Sequence, residues 1–169
     1  MALFKKIAAP GKYHDPQAIP DLIAYITRAD KTPSQIICGS HVNMQNIADS
    51  MIAVSERFGK NSRLRLHHFI LTFQPQDIWD FSVIPRIAEE ICAYIGRSYQ
   101  IVAALHEDTP SPHIHFVFNA VSHVNGYKYR GGKEDYRELV ENIDSILFSH
   151  GIHPLIPVNY YPKPYNPHE

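Results

Sequence analysis

The chain has 169 residues, 44% of them hydrophobic, which is enough for one domain with a buried core, and no second domain is expected. Its 16 lysines and arginines are balanced by 17 aspartates and glutamates, a formal charge of −1, so net charge does not announce a nucleic-acid partner. Two cysteines in unrelated segments, Cys38 and Cys92, exclude a disulfide framework and fit a reducing cytoplasm; no apolar run approaches the ~20 residues of a membrane span, and no signal peptide is legible.

Residues 3–9 read as a first strand or extended arm ending at Pro10-Gly11. Residues 15–29 carry Ile19, Leu22, Ile23 and Ile26 at helical spacing, with Tyr25 at the margin of that stripe and Arg28 and Lys31 just beyond. A second, largely buried strand is expected over residues 34–38. Asn43 then serves as N-cap to a helix with Ile47, Met51, Val54 and Phe58 on one face, stopped by Gly59. Arg63 and Arg65 lie in a basic loop that suits either plain solvation or a phosphate contact. In residues 66–73, His68, Ile70 and Thr72 alternate with His67, Phe69, Leu71 and Phe73, and the second set reads as core. Residues 80–95 form a third helix despite Pro85, with Gly96 as its stop.

The next stretch carries the chemistry. Residues 99–105 and the apolar run after Pro112 form a hairpin, with His106 closing the first strand and His113 opening the second. His113 and His115 share one face, while Ile114, Phe116 and Phe118 take the other. Cross-strand Cβ atoms lie about 4.5–5.5 Å apart, close enough for three imidazoles to converge on one cation. A lone histidine among the chain's 11 is usually structural, but an alternating pair with a third placed opposite by a hairpin points to a metal site. Further on, Asn125-Gly126 marks a turn. Tyr127, Lys128, Tyr129 and Arg130 then mix aromatic and basic character, as an exposed loop or as a platform for single-stranded nucleic acid. A last helix spans residues 134–150. The segment 154–169, with 5 prolines and 3 tyrosines, reads as an extended tail after a domain covering 1–153. The order of elements predicts an α+β fold of two or three layers, with a mainly antiparallel central sheet and flanking helices.

His106-Glu-Asp108-Thr-Pro-Ser-Pro-His113-Ile-His115-Phe-Val-Phe-Asn119 resembles the third motif of relaxase and mobilisation nucleases, H-x-D-x-x-x-x-H-x-H-x-x-x-N, of the HUH endonuclease superfamily. Tyr25-Ile-Thr-Arg-Ala-Asp-Lys-Thr is similar to the first motif of that family, and residues 67–75 resemble the second, with Thr72 in place of its usual serine. Mobilisation proteins of this class often carry a second domain beyond such a nuclease unit.

The resemblance implies a site- and strand-specific nuclease that nicks and rejoins single-stranded DNA. Tyr25 would be the nucleophile, and His106, His113 and His115 would hold a divalent metal, Mg²⁺ or Mn²⁺ foremost. Asp108 would steady an imidazole through its second nitrogen. A phenol ionises only near pH ~10, so Tyr25 needs its phenolate stabilised and the phosphate charge neutralised. Thr72, Arg28, Lys31, Arg63, Arg65, Lys128 and Arg130 are the expected DNA contacts. The implied partner is a transfer origin, single-stranded or as a hairpin, with accessory relaxosome proteins, and the implied state is a monomer. Three other readings compete: a rolling-circle replication initiator, whose tyrosine usually follows the histidines; a non-catalytic DNA-binding accessory; and a His-x-His-x-His nucleotide hydrolase, which Val117 disfavours.

Overall fold

The computed structural model describes residues 1–7, 11–78 and 80–158. In chain order its main elements are β1 (Ala2–Lys6), α1 (Ala18–Ile26), β2 (Ile37–Ser40), α2 (Ile47–Arg57), β3 (Leu66–Phe73), α3 (Val83–Gly96), β4 (Ile101–His106), β5 (His113–Asn119), α4 (Lys133–Ser149) and β6 (Leu155–Val158). The strands form one sheet in the order β2-β4-β5-β3-β1-β6, antiparallel throughout except for the β1–β6 pair.

Strand alternation assigns each side chain to one of two cores, and the fold is accordingly a three-layer α+β sandwich. Odd-numbered Phe69, Leu71 and Phe73 of β3 join Ile101 and Ala103 of β4 and even-numbered Ile114, Phe116 and Phe118 of β5 against α3 and α4. Phe69 stacks on Phe116 at a centroid distance of 4.7 Å, and burial of each such ring stabilises the fold by about 1.5–3 kcal/mol. The helices supply matching stripes, Ile84, Ile87, Ile91 and Ile95 on α3 and Tyr136, Leu139, Ile143 and Leu147 on α4. The opposite face packs Leu66, Val102, Ala104 and Val117 under Ile19, Leu22, Ile23 and Ile26 of α1 and Met51 of α2. The lower part of the hairpin's histidine face, with Val102 and Val117, is therefore core as well. The histidines occupy only the end nearest the β4–β5 turn.

Several boundaries differ from the sequence reading for local reasons. Helix α1 begins only at Ala18, because the Asp15 carboxylate accepts from Gln17 N at 2.7 Å and closes a turn ahead of it. Asn43 does not cap α2; it caps the preceding turn, accepting from Gln45 N at 3.0 Å, and the helix starts at Ile47. Gly96 is the last helical residue and not a left-handed stop. A Cβ there would come within 2.1 Å of Ser40 Oγ, so glycine lets α3 approach β2. Strand β2 is a half-buried edge strand. The opposite edge is β6, where Leu155–Val158 adds to β1 in parallel; residues 8 and 9 of the expected first strand and residues 159–169 of the expected tail lie outside the described residues. Among the described residues, no helix is long and apolar enough to cross a membrane.

Candidate active site

The β4–β5 hairpin pairs His106 with His113, and Ala104 with His115, so the three imidazoles stand on one face at one end of the sheet. One donor nitrogen from each can be chosen so that all lie within 4.8 Å of one another. Each ring is also held from behind. His106 Nε2 donates to the Ile26 carbonyl at 2.8 Å, leaving Nδ1 as the free lone pair. His113 Nδ1 donates to the Ser111 carbonyl at 3.2 Å, leaving Nε2. His115 Nδ1 is 2.9 Å from His68 Nε2, again leaving Nε2. Among the described residues, His106 Nδ1 and His115 Nε2 are buried with no hydrogen-bond partner, a costly state for two nitrogens unless something occupies the space between them. Burial, with smaller effects from neighbouring groups, pushes the His115 imidazole down to about 2 and His68 to about 4, and depresses His106 too. Near neutral pH these rings are therefore uncharged, the form that ligates a metal. Donor identity, convergence, orphaned lone pairs and braced second nitrogens all fit a divalent cation.

Tyr25 sits in the last turn of α1 and is 40% exposed, with its ring leaning over the histidines. Its centroid is 5.8 Å from that of His106 and 5.8 Å from that of His115. The helix is seated by His106, because the carbonyl that this histidine holds belongs to the residue after Tyr25. Lys31 Nζ lies 5.6 Å from the Tyr25 ring centre and is bonded at 2.6 Å to Asp108 Oδ2. That contact lowers the Asp108 pKa and raises that of Lys31. Asp108 thus braces a lysine, and the imidazole support expected of it comes from Ile26, Ser111 and His68.

The same residues lie within a recognisable family region: relaxase, MobA/VirD2-like, nuclease domain, matches residues 25–152, more than half of the chain. This chain belongs to that relaxase family. A curated relative, Protein rlx of Staphylococcus aureus, is 25% identical to the relaxase chain over 103 residues, which cover 61% of this chain and 31% of that protein. The relaxase chain thus spans about a third of that relative's length. A solved structure described as the molecular basis of vancomycin resistance transfer in Staphylococcus aureus aligns over 72% of each chain, with 14% identity and a TM-score of 0.46.

The other expected site residues of the relaxase chain divide by location. Thr72 pairs directly with His113 across β3 and β5, at the three-histidine end. Arg28 is at the same corner, exposed, with its guanidinium on Asp30 at 2.8 Å. Arg63, Arg65, Lys128 and Arg130 belong to the other end. Leu66 pairs with Asn119 there, six residues along β3 from Thr72, or about 20 Å at ~3.3 Å per residue. Two of these cations are occupied with loop carbonyls: Lys128 Nζ donates to Ser62 and Leu64, and Arg65 Nε to His14 at 3.0 Å. Tyr127 is 70% exposed, as a stacking residue would be, but Tyr129 turns inward against Phe118 and His67 and bonds the Asp135 carbonyl.

Two residues beside the histidine cluster carried no sequence signal for their position. His68 had the right strand parity, but only the β5–β3 adjacency brings it to His115. Tyr13 lies in a 3-10 turn outside any periodic pattern, and its hydroxyl meets His68 Nδ1 at 3.0 Å. Both line a cavity of about 640 Å³ that also touches Lys12, Asp21, Tyr25 and His115.

Proposed function

We propose that this relaxase domain nicks and rejoins single-stranded DNA at a plasmid or mobile-element transfer origin, with Tyr25 as nucleophile. The observation that carries the reading is the placement of the Tyr25 ring 5.8 Å from two of the three convergent imidazoles. The Tyr25 oxygen attacks the scissile phosphorus and gives up its proton to solvent. The P–O3′ bond breaks, the 3′ oxygen gains a proton, and a 5′-phosphotyrosyl link and a free 3′-hydroxyl result. Return of the 3′-hydroxyl reverses each bond change, so rejoining needs no nucleotide cofactor. A divalent cation held by His106 Nδ1, His113 Nε2 and His115 Nε2 would supply charge neutralisation at a non-bridging phosphate oxygen.

The chain's own groups do the rest. The Lys31 ammonium, held by Asp108, faces the Tyr25 ring and stabilises negative charge on its oxygen. The hydrogen bond from His106 to Ile26 keeps nucleophile and ligand in one frame. Thr72 and Arg28, at the corner of Tyr25, would contact the DNA next to the scissile phosphate, and the cavity lined by Tyr25, Tyr13 and Lys12 would take the adjoining strand. Three imidazole donors without a carboxylate favour Mn²⁺, Ni²⁺ or Zn²⁺ over Mg²⁺, which prefers oxygen donors.

The test is covalent trapping. With single-stranded oligonucleotides carrying a transfer origin and Mn²⁺, the wild-type domain should form a DNA adduct resistant to denaturant, and Tyr25→Phe should form none. An adduct in Tyr25→Phe would overturn the assignment, and DNA binding without an adduct in the wild type would favour the accessory role.

A further inference from the structure

The cation site has an outer part that runs away from the hairpin. Behind His115 stands His68, with Nε2 2.9 Å from His115 Nδ1, and behind His68 stands Tyr13, its hydroxyl 3.0 Å from His68 Nδ1. Tyr13, His68 and His115 are 5%, 5% and 3% exposed, so their contacts with one another are shielded even where their edges line the cavity. The three come from the turn before α1, from β3 and from β5, and nothing in the attack by Tyr25 uses the first two.

The direction of such a chain is a matter of proton placement. An imidazole that gives its Nε2 lone pair to a cation must carry its proton on Nδ1. His115 Nδ1 would then donate to His68 Nε2, which has to be an acceptor. Neutral His68 in turn carries its proton on Nδ1 and donates to the Tyr13 oxygen. The Tyr13 O–H is then not needed within the chain and is available to the cavity it lines beside Tyr25. With no cation, the reverse order satisfies the same contacts: Tyr13 donates to His68 Nδ1, His68 Nε2 donates to His115 Nδ1, and a proton on His115 Nε2 points into the site.

We propose that His68 and Tyr13 are positioning residues of the cation site, and that a bound cation orders their protons outward from His115 to Tyr13. This rests on the reading of His106, His113 and His115 as a metal site. Outer partners of ligating imidazoles hold the ring and its tautomer, and their loss typically weakens metal binding about 10–100-fold.

The experiment measures binding of Mn²⁺ alone by calorimetry, together with the histidine tautomers of the wild-type domain by ¹⁵N NMR with Zn²⁺ as a diamagnetic probe. His68→Leu, which cannot accept from His115 Nδ1, should bind Mn²⁺ at least about tenfold more weakly. His68→Gln, which puts an amide oxygen where Nε2 was, should recover most of that loss, which a purely packing role would not predict. In the wild type, His68 should be the Nδ1–H tautomer when Zn²⁺ is bound. This readout stands even if His68→Leu fails to fold. Mn²⁺ affinity in His68→Leu equal to wild type, or an Nε2–H His68 in the loaded wild type, overturns the outer-layer assignment alone. A wild-type domain that takes up neither ion overturns the metal site and this proposal with it.

Discussion

Lys31 crosses from the segment after α1 to the β4–β5 turn, where its ammonium meets Asp108 at 2.6 Å and also faces the Tyr25 ring at 5.6 Å. The pair is partly exposed, so its contribution to folding is screened by water and salt. Its value is in position. Lys31→Met is expected to slow formation of the covalent DNA adduct by about tenfold or more, with Mn²⁺ affinity and melting temperature near those of wild type. Asp108→Asn, which frees the lysine without removing it, should give a smaller loss. Single-turnover trapping measures both, and an unchanged rate in Lys31→Met would separate this ammonium from the chemistry.

The donor set makes a prediction about metal preference. Affinity should rise from Mg²⁺ through Mn²⁺ to Ni²⁺, as imidazole sites follow the usual divalent series, and His113→Ala with His115→Ala should abolish binding of all three. Competition calorimetry reads the order directly. Mg²⁺ binding as tight as Mn²⁺ would mean that oxygen ligands complete the site.

Asn119, the last residue of the histidine motif, lies at the far end of β5 from His113 and His115. It is fully buried, and each end of its amide is used. Oδ1 accepts from Ser55 Oγ at 3.2 Å and Val121 N at 3.0 Å, while Nδ2 donates to Met51 O at 2.9 Å and Gln100 Oε1 at 3.0 Å. Asn119→Ala should therefore cost about 2–4 kcal/mol of stability in urea unfolding, from the buried partners left unpaired. The purified variant should keep its Mn²⁺ affinity. Loss of metal binding at unchanged stability would give this residue a different role.

Acid lability follows from His67. Burial holds its imidazole down at about 4, against an ordinary value of 6.5. The Tyr129 carbonyl and Asp135 oppose that depression, and Lys6 adds to it. Between pH 6.5 and 4 the unfolded chain binds a proton here that the native chain refuses. Stability is thus undiminished above that window and falls as pH is lowered through it, by about 3 kcal/mol for this residue alone. His67→Gln keeps a donor for the Tyr129 carbonyl and gains no charge. Its stability should fall by about 2 kcal/mol less than that of wild type between pH 7 and 4.5; identical pH slopes in the two proteins would rule this out.

The sequence carried strand parity and helix stripes well, because both are set by local periodicity. His113 and His115 fall on one face, and the odd-numbered side chains of β3 from Phe69 onward form core, as alternation predicts. The hairpin placed His106 opposite His113 for the same reason. What periodicity could not carry was adjacency between distant segments. That β3 lies beside β5, bringing His68 to His115, depends on the sheet order, and so does the placing of β6 on β1. The basic residues were legible as charges but not as occupied ones, since whether Lys128 is free for a phosphate depends on where the carbonyls of Ser62 and Leu64 come to rest. Tyr127 and Tyr129 look alike in the chain and differ only once Phe118 and His67 claim the second.

The carbonyl that His106 holds, on Ile26, is the last of α1. The C-terminal pole of a helix carries a partial negative charge of roughly half an electron. It faces a cluster with no carboxylate among its three ligands, and so supplies an attraction for cations that the ligands themselves lack. The same pole repels a bare phosphodiester approaching Tyr25. Under the proposed reaction this favours an order of loading, in which the ion enters first and DNA then meets a neutralised pole.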